Sequence, residues 1–348
     1  MTRLVVLSAI AAAAAALAAT GAGAARTAAT IVVFPGGSIQ AAVDAANPGD
    51  TIVVMPGRYE ETVLVQKDGI TLRAGPGFGR PGIVPPPVST SPCGDVGICV
   101  AGDVDFATGE IFRPVQHVTV TGFQVVGFAD SGILAYGANQ TTFSNDTLIG
   151  NGQYGVTAFS STRTTFANNR AQGSEEAGIY VGDSHPALAT VSGNAVLGNA
   201  IGILVRNAEG VTIARNAAST NCAGVVVLGD APGSAGGATI TSNAVHDNSA
   251  ACLSEIGPVS GLGVGLIGAH DTTLSGNTIT HNVPANVHDL TGGVVVMSGF
   301  LGTPSSRNSV TGNTITGNSP DIFWDGLGLG NVFAHNVCKT SVPKGLCH

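Results

Sequence analysis

One phrase recurs along the chain and limits its folds more than any other feature. It reads small residue, apolar residue, any two, Asn, any one, apolar residue, any two, Asn. Copies include TTFSNDTLIGN (141–151), TVSGNAVLGN (190–199), TITSNAVHDN (239–248) and SVTGNTITGN (309–318). The first Asn position is occupied by Asp146, Asn169, Asn194, Asn216, Asn243, Asn277, Asn313 and Asn336. The second falls at Asn151, Ser174, Asn199, Asn221, Asn248, Asn282, Asn318 and Ser341. Intervals between successive first positions are 23, 25, 22, 27, 34, 36 and 23 residues, the period of a solenoid carrying two long insertions.

A second phrase, Gly-apolar-x-apolar, follows in most copies: GILA (132–135), GVTA (155–158), GIYV (178–181), GILV (202–205), GVVV (224–227), GVGL (263–266) and GVVV (293–296). Each repeat therefore holds three short alternating runs broken by Asn or Gly. Alternation at period two is a strand signal, and Asn is the non-Gly residue that best tolerates the left-handed backbone of a sharp turn. Three strands per 22 to 25 residues is the arithmetic of a parallel β-helix. Stacked coils would set the Asn side chains in ladders, their amides bonding from coil to coil and to turn backbone. A left-handed hexapeptide helix is excluded by the period, and leucine-rich repeats by the missing Leu pattern.

Composition bears on compartment and partners. Residues 1–25 carry Arg3, an apolar run from Leu4 to Ala18 and then Gly21-Ala22-Gly23-Ala24, the pattern of a cleaved signal peptide. Residues 26–348 then form the mature domain, and no later segment is apolar for long enough to span a bilayer. Export permits disulfides. Six Cys allow 15 connectivities, and proximity suggests Cys93/Cys99, Cys222/Cys252 and Cys338/Cys347. No C-x-x-C occurs and the Cys are not interleaved with His, so zinc is disfavoured. The full chain has 14 basic and 22 acidic residues, a formal charge of −8, without the basic stripe that nucleic acid requires. The sequence is silent on oligomeric state.

The repeats resemble those of right-handed parallel β-helix proteins of the pectate-lyase-like superfamily. The stretch SIQAAVDAANPGDTIVVMPGRYEETVLVQKDGITLRAGPG (38–77) resembles the opening of secreted carbohydrate-active members, in which a short amphipathic helix caps the solenoid. Here Ser38 serves as N-cap, Ile39, Ala42, Val43 and Ala46 as the apolar face, and Pro48-Gly49 as the stop. The expected fold is all-β, a right-handed parallel β-helix with an N-terminal cap helix and a Cys-linked C-terminal end. Its repeats are clearest from 117 to 341, and 78–116 reads as a loop-rich insertion. That fold hosts lyases, hydrolases, epimerases and non-enzymes, so it does not choose an activity.

The resemblance implies that substrate lies along one exterior sheet, the Gly-apolar-x-apolar one. With Ile133, Val156, Ile179, Ile203 and Val225 inward, the outward set is mostly apolar and aromatic. Tyr136, Phe159 and Tyr180, one coil apart, are candidate platforms for sugar rings. Arg206 is the one cation on that strand set. Past the strands, Asp183, Arg206 and Asp230 fall near the same point of successive coils, so a coil rise of about 4.8 Å would bring Arg206 to both acids.

Asp183, Arg206 and Asp230 could serve glycosidic cleavage, with His185 as base for elimination or epimerisation. Asp183-Ser184-His185-Pro186 resembles the Asp-Pro-His-Asp motif of β-helix alginate epimerases with the Pro and second Asp displaced. The same cluster also fits a surface ion-pair ladder without a catalytic role. Insertions at 249–271 and 283–307 add Glu255, His270, Asp271, His288 and Asp289 as wall candidates. No cofactor is evident, and calcium is the ion the resemblance admits.

The leading expectation is a secreted, periplasmic or cell-surface protein that binds or processes polysaccharide. Its competitors are a structural or adhesive β-helix and a periplasmic copper-maturation accessory. Eight scattered His and three Met weigh against copper.

Overall fold

A computed structural model describes residues 27–254, 256–285 and 290–347. The expected signal peptide, and with it Glu255, His288 and Asp289, lies outside the described residues. Parallel strands stack into three long sheets. The first holds twelve strands from Thr30–Val33 to Val332–Ala334, and the second ten from Gly57–Glu60 to Thr314–Thr316. The third runs through eleven parallel strands from Val63–Val65 to Ser341–Val342, with Ala251–Ser254 added antiparallel as a twelfth. The chain visits the first, second and third sheets in turn, so each repeat closes one coil around a single apolar interior.

That interior is built by the period-two alternation. Phe143, Phe166, Val191, Ile213, Ile240, Leu274 and Val310 are in register along the first sheet, all buried. Ile133, Val156, Ile179, Ile203, Val225, Val264 and Val294 do the same along the third. Stacking like upon like keeps the cross-section constant, so no coil has to accommodate a mismatched neighbour.

The bends are held by the expected amide ladders. Asn194 donates from its backbone N and Nδ2 to Asn216 Oδ1, both at 2.9 Å, and Asn216 repeats this onto Asn243 at 2.9 and 3.0 Å. The second ladder runs Asn199, Asn221, Asn248, Asn282, Asn318 and ends on Asp321. One detail differs from expectation: the left-handed residue is the one before each ladder Asn. Asn145, Asn168, Arg215, Ser242 and His335 take φ between 55° and 58°. The ladder Asn keeps ordinary backbone, which aims its amide along the stack.

The Gly of the second phrase answers to that ladder. A Cβ on Gly178 would lie 2.8 Å from Asn199 Nδ2 and 2.9 Å from the Gly202 carbonyl oxygen, too close for any side chain. Arg215, by contrast, is exposed and holds φ 57° at a cost that glycine avoids. Arg215→Gly is expected to raise stability by about 0.5–1 kcal/mol, read as a shift of the urea midpoint; an unchanged midpoint would show that the turn is unstrained.

The helix Ile39–Ala45 closes the N-terminal end with Ile39, Ala42 and Val43 buried. Ser38 accepts from Ala41 N at 3.1 Å, and Glu61 takes Ile39 N and Gln40 N. At the other end Lys67 Nζ donates to the carbonyls of Val43, Asp44 and Ala46. One acid and one cation from the solenoid thus satisfy both helix ends, each sign matching the helix dipole. The segment 78–116 is less irregular than its Pro and Gly content suggests. Pro81–Val84 and Ile98–Ala101 are solenoid strands, and Asp103–Asp105 with Glu110–Arg113 form a projecting antiparallel hairpin.

The three local Cys pairs are all disulfides: Cys93 with Cys99, Cys222 with Cys252, and Cys338 with Cys347. The last of these finishes the solenoid. Cys347 lies nine residues beyond Cys338, and the two half-buried sulfurs pack with Leu346 against the end of the main core. The bond holds the 338–347 turn against the last described coil.

Candidate functional site

The third sheet is where the exterior departs from a plain solenoid. Its later strands are apolar outward as well as inward, and the 249–271 insertion covers them. Ala251–Ser254 and Gly257–Ile267 form an antiparallel hairpin, pinned by Cys222–Cys252, and Ile256 and Val259 join Leu204, Val226, Leu228, Ile267 and Val295 in a second buried cluster. This satellite core corrects one expectation. Tyr180 is 2% exposed and its ring stacks on Tyr154 at 4.5 Å, so it is a packing residue and not an open platform. It is also out of line with the other two rings. Tyr136 and Phe159 are register partners, whereas the partner of Tyr180 is Thr157. Phe159 lies 4.7 Å from Tyr180 at the edge of the cluster, half-buried. The row of three aromatics therefore leaves Tyr136 and Phe159 as accessible surface.

Those two side chains line a groove of about 340 Å3 with Phe106, Leu134, Asp130 and Gln153. Tyr136 donates its hydroxyl to the Gly109 carbonyl at 2.8 Å, which ties the 103–113 hairpin to the sheet and fixes the ring. Cys93 also lines it, held by its bond to Cys99. The other disulfides serve elsewhere. Cys222 and Cys252 fasten the insertion, and Cys347 borders a separate hollow at the C-terminal end with Lys339 and Lys344, so it has no part in the candidate site.

Asp130 is the acidic group of the groove. Ser131 donates to its Oδ1 at 3.1 Å, while burial, and secondarily the nearby Asp95 charge, push its carboxyl above the usual carboxylate range. Sequence reading missed Asp130 because it belongs to no repeat phrase; its one signal is an acid immediately before a third-sheet strand.

Beyond the Tyr136–Gly109 contact lies a second cleft, of about 530 Å3, at the bend from the third sheet to the first. Asp183, His185, Ser160 and Arg163 line it. The four catalytic candidates are thus divided. Asp183 and His185 face the cleft, whereas Arg206 and Asp230 pair with each other, Nε to Oδ2 at 2.8 Å. The strand register explains the division: Arg206 is opposite Gly182 and Leu228, so the coil-to-coil neighbour of Asp183 is Asn207. Asn207 Nδ2 donates to Asp230 Oδ2 at 2.8 Å and to Asp183 Oδ1 at 3.3 Å, and its own Oδ1 accepts from Asp230 N at 3.0 Å. This bridging amide was not foreseen, although it occupies the position that follows Arg206 in the phrase.

Of the insertion residues, His270 bonds Asp271 through Nδ1 at 2.9 Å, and Arg307 clamps Asp271 with two bonds of 2.7 Å, holding its carboxyl well below the usual range. Among the described residues no three His, Cys, Asp or Glu side chains group as a metal site, so calcium finds no assembled carboxylate set there.

Three parallel sheets wound around one apolar core, with amide ladders at two of the bends, define a right-handed parallel β-helix. The model of the right handed beta helix region matches residues 131–299 and 190–342, and the chain belongs to that family. No curated protein matches it by sequence. Among solved structures it resembles the A-module of mannuronan C-5 epimerase AlgE6 from Azotobacter vinelandii, with TM-score 0.60 and 18% identity over 87% of this chain and 90% of that one. The corresponding AlgE4 module from the same organism gives TM-score 0.56 and 19% identity over 87% and 94%. The Dettilon tailspike protein gives 0.58 and 15% over 89% and 68%. At these identities the likeness is one of fold.

Proposed function

We propose that this chain is an exported protein that binds an extracellular polysaccharide on the outer face of its third sheet. The observation that carries this reading is the groove in which Tyr136 and Phe159 offer apolar ring faces beside the polar groups of Asp130, Ser131 and Gln153. A pyranose presents the complementary surface, apolar C–H faces with a rim of hydroxyls. The names of the similar epimerase modules, which refer to mannuronan, agree with a polysaccharide partner. The leader pattern and three disulfides agree with export.

If the bound chain is also processed, the neighbouring cleft supplies the groups. His185 is exposed, and Asp183 lines the same cleft with its carboxyl held by one 3.3 Å bond from Asn207. An imidazole base next to a carboxyl suits elimination or epimerisation better than two-carboxylate hydrolysis, because Asp230 is already engaged by Arg206 and Asn207. The hydrogen-bonded row Asp183, Asn207, Asp230, Arg206 also favours a second reading, a purely binding β-helix in which these groups stabilise the bend.

Two measurements separate the readings. Tyr136→Ala is expected to weaken glycan binding about tenfold in calorimetric titration while Tyr136→Phe retains it; equal binding by all three proteins would remove the groove from the argument. Incubation with a polysaccharide panel, followed by absorbance of unsaturated products and by reducing-end release, tests processing. Turnover that survives in both Asp183→Ala and His185→Ala would discard those residues, and binding without turnover would establish the second reading.

A further inference from the structure

The charge around the groove carries a statement about the sugar. Its lining contains one ionisable carboxyl, Asp130, and no Lys, Arg or His among the described residues. The hairpin that brings Phe106 and Gly109 to the wall also carries Asp103, Asp105 and Glu110. Its one cation, Arg113, is paired with Asp68 at 2.8 Å. Asp95 accepts from the Ala129 amide at 2.8 Å and adds to the negative field at Asp130.

A uronate unit would set a second carboxylate beside one whose charge is already poorly solvated. Sites that accept polyuronates offset such repulsion with cations or a bridging metal, and no cation among the described residues lines this groove. An uncharged sugar meets the opposite situation. Its hydroxyls can donate to Asp130 and exchange hydrogen bonds with the exposed Gln153 amide, while Tyr136 and Phe159 take its apolar face.

Resting on the polysaccharide reading above in its binding form, since elimination and epimerisation would need a uronate, we infer that the groove selects uncharged pyranose units and rejects uronates, with Asp130 as the residue that sets this choice. Like-charge exclusion of the wrong ligand is specificity by repulsion, distinct from the hydrogen bonds that Asp130 and Gln153 offer the right one. Asp130→Asn should therefore shift the ratio between the two classes toward uronates, and Gln153→Arg, on an exposed side chain, should shift it in the same direction without touching the carboxyl.

The test is calorimetric titration of the full mature protein with neutral gluco-, manno- and galacto-oligosaccharides and with oligomers of mannuronate, guluronate and galacturonate. The neutral series is expected to yield a ligand whose Kd is at least about tenfold lower than that of any uronate. Asp130→Asn should narrow that ratio about fivefold or more by tightening uronate binding, and Gln153→Arg should narrow it as well, with thermal melting showing both variants folded. Uronate binding equal to or tighter than neutral binding in the unmodified protein would overturn the inference and leave the polysaccharide reading standing. A ratio unchanged in both variants would do the same. Binding of no glycan on the panel would overturn the polysaccharide reading and this inference together.

Discussion

Asp146→Asn is expected to stabilise the protein by about 1–3 kcal/mol at neutral pH, the reverse of the usual effect of a core substitution. Asp146 occupies the first rung of a ladder that is otherwise Asn and is 1% exposed. Its Oδ1 accepts from Phe123 N at 2.8 Å, as a ladder amide oxygen would. Its Oδ2 has no hydrogen-bond partner. One coil on, Asn169 Nδ2 donates to the Phe143 carbonyl at 3.0 Å; the register partner of Phe143 is Val120, and an ionised carboxylate has no hydrogen to offer there.

Burial pushes the Asp146 carboxyl well up, against the smaller opposing pulls of its amide donors and of Arg80, which bonds the Asn145 carbonyl. The folded-state pKa thus lies above the unfolded value of about 3.9. The protonated form is the one the fold tolerates. Its stability is fully present below the unfolded pKa and is lost as pH rises through the folded one. The asparagine variant lacks this loss, so its advantage should be small near pH 4 and grow toward neutrality. Urea unfolding of both proteins across that range measures it; a pH-independent gap, or none at pH 7, would mean that the carboxylate has found solvation.

Asn243→Ala is expected to cost about 3–5 kcal/mol, because several buried groups lose partners at once. Asn243 Oδ1 accepts from the backbone N and Nδ2 of Asn216, and its own Nδ2 donates to the Ile213 carbonyl at 2.9 Å and to Asn277 Oδ1 at 2.9 Å. Alanine leaves the Asn216 amides and the Ile213 carbonyl in an interior that water does not reach. Position along the stack should grade the effect only slightly. Asn336 likewise accepts from the backbone N and Nδ2 of Asn313 and donates to the Val310 carbonyl, but it lacks a bond like that of Asn243 to Asn277, so Asn336→Ala should cost about 1 kcal/mol less than the central substitution. Chemical denaturation of the two variants decides this, and a loss at Asn336 far below that at Asn243 would show that the end rung is solvated once its partners are freed.

The legible part of this protein is the part that repeats. Each coil had to place one amide at each of two bends and one Gly where that amide approaches, and these demands surface as Asn194, Asn216 and Asn243 or Gly178 and Gly202 at a readable period. The cap helix was equally legible, since Ser38 and the spacing of Ile39, Ala42 and Val43 are local signals. So was the C-terminal closure, because Cys338 and Cys347 are too near in sequence to have better partners. The candidate site was legible in pieces. Tyr136 and Phe159 followed from alternation, and Asp183 and His185 from the bend beyond the strand. Arg206 was mispaired by one position, because register across a bend depends on how many residues the bend absorbs.

What the sequence determined alone was the solenoid, its three sheets, the inward face of every coil and the turns, all consequences of interactions between equivalent positions one repeat apart. The tertiary structure decided which part of the outer face meets solvent. Tyr180 and Phe159 share the same outward parity on neighbouring coils, two residues apart in register. One is core and the other edge because an insertion about 70 residues later folds back onto the sheet, held by Cys222–Cys252. Periodicity sets the direction of a side chain; only the path of the non-repeating segments sets what stands in front of it, and Asp130 owes its place in the groove to two such segments, the 103–113 hairpin and the Cys93 loop.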